Sequence, residues 1–153
     1  MLSTTLIDVI FKGPLNGLNL DFIKGLSSEA RELRLDYPEV AGEGDDEIWS
    51  IFINNSESAV TIGTDKLLFL SQIVPNVFIN IIRNEEQVEL LIFFDLMDLM
   101  GHTYKERIDK VKSWSEELLR NANLKYFLCR FDNGDEDEYL FDSNKYFPLY
   151  FKL

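Results

Sequence analysis

The chain predicts an α+β fold in a single domain, 1–153. A mainly antiparallel sheet holds a central hairpin at about 76–98, and a long helix at about 104–120 packs on one face. Three observations carry this. The stretch Asn76–Met100 contains two β-branched and aromatic runs, Val77–Ile82 and Val88–Leu96, joined by the polar patch Arg83-Asn84-Glu85-Glu86-Gln87, the pattern of a β-hairpin. Leu90 to Phe94 is apolar at consecutive positions, the mark of a central strand covered on both faces. Thr103-x-x-Glu106 is a capping box, and Tyr104, Ile108, Val111, Trp114 or Ser115, Leu118 and Ala122 follow it at helical spacing.

The elements follow in order. Leu6, Ile7, Ile10 and Phe11 fit helical spacing and favour a short helix over a strand, until Gly13-Pro14 ends it. Leu20, Phe22, Ile23 and Leu26 make an apolar knot. Ser28 offers a cap for a short helix through Leu33, whereas the alternation of Leu33, Leu35 and Tyr37 reads as extended and Pro38 stops any helix. Ala41–Glu47 is a loop by composition. Ile48, Trp49, Ile51, Phe52 and Ile53 predict a strand, and Ala59–Ile62 a second, closed by Gly63. Lys66–Val74 suits a helix capped by Asp65 and a buried strand equally well. Beyond the long helix, Leu124–Phe131 and Glu138–Phe141 form an antiparallel pair around the loop Asp132–Glu138. The aromatic tail Tyr146–Phe151 docks on the sheet edge.

Length and composition bound the function. An apolar share of 46%, with 12 Phe, 6 Tyr and 2 Trp, supports a real core and excludes global disorder. The longest apolar run falls short of a membrane span. Residues 1–8 lack a basic start, which argues against a secretory signal, and the lone Cys129 has no disulfide partner, so a cytoplasmic home is expected. The net charge of −12 repels nucleic-acid phosphates and anionic membranes and attracts a basic protein partner.

Signatures of chemistry are sparse. No Gly-rich phosphate loop and no Gly-x-Ser-x-Gly elbow occur, and no cofactor is expected. Cys129 alternates with Phe127 and Phe131 and belongs in the core; His102 belongs on the surface at the start of the long helix. Asp95, Asp98 and His102 form an Asp-x-x-Asp-x-x-x-His set that would suit a small metal-assisted enzyme, although acids commonly close strands and turns. The loop Asp132–Glu138 fails the EF-hand register.

The placement of charge is more informative. No Lys or Arg occurs from Leu35 through Asp65, nor from Phe131 through Asn144, while acids crowd both stretches. Glu43, Asp45, Asp46 and Glu47 mark the first, and Asp132, Asp135, Glu136, Asp137 and Glu138 the second. Trp49 and Tyr139, just beyond them, are candidate aromatic anchors, the alternative for each being a place in the core. Should both stretches lie at one end of the sheet, they would form one negative surface suited to a basic partner.

A small, acidic, cofactor-free α+β chain with focused negative loops resembles the immunity proteins of bacterial toxin systems, including contact-dependent inhibition. The resemblance implies an inhibitor, not an enzyme, that covers a cognate basic toxin domain, often a nuclease. An acidic mimic of nucleic acid is the alternative. It would need carboxylates strung along an elongated surface at phosphate spacing, which two compact loops suit less well.

Overall fold

Leu6–Pro14, where helical spacing favours a helix, is the strand β1. Its residues are buried almost without interruption because β1 runs inside the sheet, antiparallel to a neighbour on each side. Apolar residues needed on both faces of an interior strand imitate a helical pattern over so short a run. The computed structural model describes residues 4–39, 44–69, 71–132 and 136–153.

The elements after β1 are α1 (Leu20–Leu26), β2 (Glu32–Tyr37), α2 (Asp45–Asn54), β3 (Glu57–Thr64), β4 (Leu67–Phe69), β5 (Gln72–Val74), β6 (Val77–Asn84), β7 (Gln87–Asp95), α3 (Tyr104–Ala122), β8 (Tyr126–Phe131) and β9 (Tyr139–Asp142). Single 3-10 turns occupy Leu15–Gly17, Leu96–Asp98, Glu136–Glu138 and Pro148–Lys152. Seven strands form one antiparallel sheet in the order β2-β3-β6-β7-β1-β8-β9, and β4 and β5 make a separate small hairpin.

The expected central hairpin is β6–β7, with β7 in the middle of the sheet. Its two faces differ, however. Val88, Leu90, Ile92 and Phe94 are buried, while Glu89, Leu91, Phe93 and Asp95 are only half covered. Ile48–Ile53 is helical rather than extended. Ile48, Trp49 and Phe52, at positions i, i+1 and i+4, share the buried face of α2. The knot at Leu20–Leu26 is α1, capped by the Asn19 side chain accepting from the Phe22 N–H, so the helix precedes Ser28. Lys66–Val74 is neither one helix nor one strand but the hairpin β4–β5.

Register assigns the faces. Ile7, Val9 and Phe11 of β1 lie level with Phe94, Ile92 and Leu90 of β7 and with Phe131, Cys129 and Phe127 of β8. All are buried, and the three helices and the small hairpin cover this face as one core. Trp114 of α3 is its centre. It stacks on Phe69 at 4.4 Å and meets Phe11 and Phe94 edge-on, both at 6.4 Å. The opposite face carries Arg34, Thr61, Asn80 and Leu91, with Phe78 and Ile82 exposed. The capping box of α3 is complete, and Asn123, in the left-handed conformation, ends the helix.

The two sheet edges are protected differently. On β2, Arg34 pairs with Glu32 and Asp36 along the strand, a charged edge that resists pairing with other chains. On β9 the tail supplies the cover. Tyr146 bridges Phe141, and the Phe147 N–H donates to the Leu140 carbonyl at 2.9 Å.

Candidate functional site

The two acidic stretches lie at opposite edges of the sheet. Asp45, Asp46 and Glu47 form the first turn of α2, which packs on β3 and β2, and Glu47 is exposed. Asp132 follows β8, Glu136, Asp137 and Glu138 form the 3-10 turn before β9, and Asp137 is exposed. Glu43 and Asp135 lie outside the described residues. Strands β2 and β9 are six strand spacings apart in the sheet order, roughly 29 Å at the usual spacing. The single negative surface entertained from the sequence is therefore not formed by the sheet's geometry.

The two aromatic anchors also separate. Trp49 is 4% exposed and packs edge-on against Phe52 at 6.1 Å, so it is a core residue of α2 and not a surface anchor. Its position on the buried helical face explains this. Tyr139 is half-buried at the start of β9 and meets Phe147 edge-on at 5.7 Å. It keeps an accessible side.

Other carboxylates lie where β7 and β8 end, on either side of β1. Asp95 lies opposite Leu6 in the β1–β7 ladder, and the Asp132 N–H donates to the Leu6 carbonyl at 2.9 Å, so the two aspartates flank one residue of β1. Asp98 follows one turn on. Burial, and then the nearby charge of Asp95, hold the Asp98 carboxyl above its ordinary range. Basic side chains in the neighbourhood are engaged with backbone. Arg107 donates to the Leu99 carbonyl at 2.9 Å and the Gly101 carbonyl at 2.6 Å, and Lys110 to the Met100 carbonyl at 2.6 Å.

Beside these acids stands an apolar group that the sequence reading did not single out. Leu68 and Ile73 of the small hairpin are 66% and 59% exposed, and Met97 and Met100 around the adjoining turn are 46% and 69% exposed. A signal was present: Leu67-Leu68-Phe69 and Ile73-Val74 are apolar on both faces of strands too short to be buried on both.

Local backbone bonds engage the segment that carries Asp95, Asp98 and His102. The Asp95 carboxylate caps the 3-10 turn by accepting from the Met97 N–H at 2.9 Å, and the His102 N–H donates to Glu106. Among the described residues no group of three or more His, Cys, Asp or Glu could hold a metal ion. Cys129 is fully buried, and burial pushes its thiol well above its ordinary value, with Asp8 nearby adding to the effect. None of the described helices is long and apolar enough to cross a membrane.

The described residues form an antiparallel sheet covered on one face, with acidic and apolar groups beside the Leu96–Asp98 turn. The sequence matches the PABL017 Cdi1I immunity protein family over residues 4–146, so the chain belongs to that family. It is an immunity protein, and it binds and neutralises a cognate toxin. The fold superposes on a chain of the crystal structure of the toxic C-terminal tip of CdiA from Pseudomonas aeruginosa in complex with immune protein. The TM-score is 0.69 and the identity 15%, over 95% of this chain and 98% of that one. No curated protein matches the sequence.

Proposed function

We propose that this chain neutralises a CdiA-type toxin tip by binding alone, in the cytoplasm of the cell it protects, and that the surface it covers on the toxin is basic. The observation that carries this is the net charge of −12 concentrated in two base-free stretches. A nuclease, whose substrate is a polyanion, presents such a basic surface. The two stretches, at opposite edges, serve different ends. Asp132, Asp135, Glu136, Asp137 and Glu138 make direct contact, with half-buried Tyr139 following Glu138 at the start of β9. Trp49 is buried and does not anchor Glu43, Asp45, Asp46 and Glu47, which act at a distance by steering encounter.

Binding kinetics against the purified toxin tip at several salt concentrations test this assignment. Reversing Asp45, Asp46 and Glu47 to Lys slows association by about tenfold at low salt, flattens its salt dependence and leaves dissociation nearly unchanged. Reversing Asp137 and Glu138 to Lys accelerates dissociation. Unchanged kinetics in both variants would remove the acidic stretches from the interface.

A further inference from the structure

We infer that the toxin docks on the outer side of the β4–β5 hairpin and the adjoining Leu96–Asp98 turn, seating a basic surface with an apolar centre over Leu68, Ile73, Met97 and Met100. The inference rests on the reading of the chain as a toxin inhibitor and adds the surface at which inhibition occurs.

Folding accounts for only one side of the hairpin. Leu67, Phe69 and Val74 point inward and are buried, and Phe69 packs on Trp114 and Phe94. Leu68 and Ile73 face each other across the β4–β5 register and point outward. The water side of a small antiparallel hairpin ordinarily carries polar residues. A directly opposed Leu–Ile pair there stays largely open to water in the free protein, and a partner that covers it recovers the apolar burial.

The Met97 and Met100 backbone is fixed to the same hairpin. The Gln72 amide donates to the Asp98 carbonyl at 3.1 Å and accepts from the Met100 N–H at 2.8 Å. With Asp95 on the Met97 N–H and Arg107 and Lys110 on the carbonyls from Leu99 to Gly101, the turn is held from three sides. The apolar side chains thus stand on a preorganised support, and binding pays little for ordering it. Methionine adapts to an irregular partner surface. A groove of about 410 Å³ between α1, β4 and α3, with Leu68 and Leu67 on one wall and Trp114 and Leu118 on another, opens on the hairpin's flank and offers a seat for an anchoring side chain.

Charge selects the partner. Asp95 and Asp98 bracket the Leu96–Met97 turn and Glu29 and Glu117 line the groove, while Arg107 and Lys110 hold the backbone carbonyls from Leu99 to Gly101. Asp65 is paired with Arg31, and exposed Lys66 is the cation on the hairpin's other flank. An apolar centre with acids at the turn and along the groove, on a chain of net charge −12, complements a basic protein surface with an apolar centre, and disfavours nucleic acid and anionic lipid.

The test measures the affinity of the full chain for the purified CdiA toxin tip of the same cell, alongside thermal melts. Two variants carry it, Leu68→Ser with Ile73→Ser, and Met97→Ser with Met100→Ser. Ile82→Ser, 41% exposed and on the open sheet face, is the comparison. Each double variant weakens binding by roughly a hundredfold while melting near the wild-type temperature, and Ile82→Ser binds as the wild type does. Should the hairpin variant fail to fold, the methionine pair, outside any strand, decides. Wild-type affinity in the folded double variants overturns the docking surface and leaves the inhibitor reading standing. A wild-type chain that does not bind the tip overturns both. Loss of self-association in the double variants, with toxin affinity intact, would assign the patch to a second copy of this chain and likewise overturn the inference.

Discussion

Asp98 shows how a single side chain can be placed at a cost to the free protein. Half-buried and beside Asp95, its carboxyl holds its proton more tightly in the folded chain than the usual value of 3.8 allows. The sign follows from linkage: a raised folded value contributes stability below about pH 4 and loses it as pH rises through the folded value, so at neutral pH the ionised group works against folding. Asp98→Asn therefore raises the melting temperature at pH 7, and the gain disappears by about pH 3; melts at the two pH values measure it. A melting temperature at pH 7 equal to or below wild type would sink this reading. Cys129 shows the opposite case, a group whose place is settled by burial alone. Its alternation with Phe127 and Phe131 is visible in the sequence and is met in β8. A thiol reagent leaves it unmodified under native conditions and labels it once the chain is unfolded, which mass spectrometry distinguishes.

At the scale of elements, what was legible follows periodicity. The hairpin β6–β7, the helix α3 with its capping box, and the pair β8–β9 all have a long repeat or a specific cap, and each was readable. Leu6–Pro14 and Ile48–Ile53 were not, because an interior strand and a short amphipathic helix both place apolar residues at nearly consecutive positions. Only tertiary packing separates them. Arg83 illustrates the rest. It is almost fully buried at the C-terminus of α2, where it donates to the carbonyls of Phe52, at 3.3 Å, and Ile53, a role that no spacing in β6 announces. The tail was readable as aromatic, but its latch was not. Tyr146 and Tyr150 both donate to the Asp109 carboxylate of α3, at 2.9 and 2.8 Å, with their rings stacked at 4.0 Å. Desolvation first, and then this bond, push the Tyr146 phenol well above its ordinary value. Asp109→Ala removes the shared acceptor and costs about 1 kcal/mol. It also speeds hydrogen exchange at the Phe147 N–H, which closes the β9 edge, while exchange in β1 and β7 is unaltered. Equal protection of Phe147 in both proteins would show that the tail is held by its apolar contacts alone.

For the whole molecule, the charge sets two opposite dependences on salt. The bulk imbalance was plain from composition, but its arrangement was not. Nothing in the spacing of Glu43–Glu47 and Asp132–Glu138 places them at opposite edges of a seven-stranded sheet, since that depends on the order in which distant strands pair. Nor could the sequence show that Asp95 and Asp132 flank Leu6 on either side of β1, with Asp98 one turn beyond Asp95. In the free protein these carboxylates repel one another, so raising the ionic strength from about 0.01 to 0.15 M shortens the screening length from about 30 to 8 Å and stabilises the fold. In the complex the same carboxylates face a basic surface, and the same change in salt weakens binding, chiefly through slower association. Melting temperature and toxin affinity therefore move in opposite directions over this range. A fold whose stability is indifferent to salt while its toxin affinity falls would mean that only the interface charges are crowded. If neither quantity responded, the negative charge would be a solubility device, and the apolar patch on the small hairpin would carry recognition by itself.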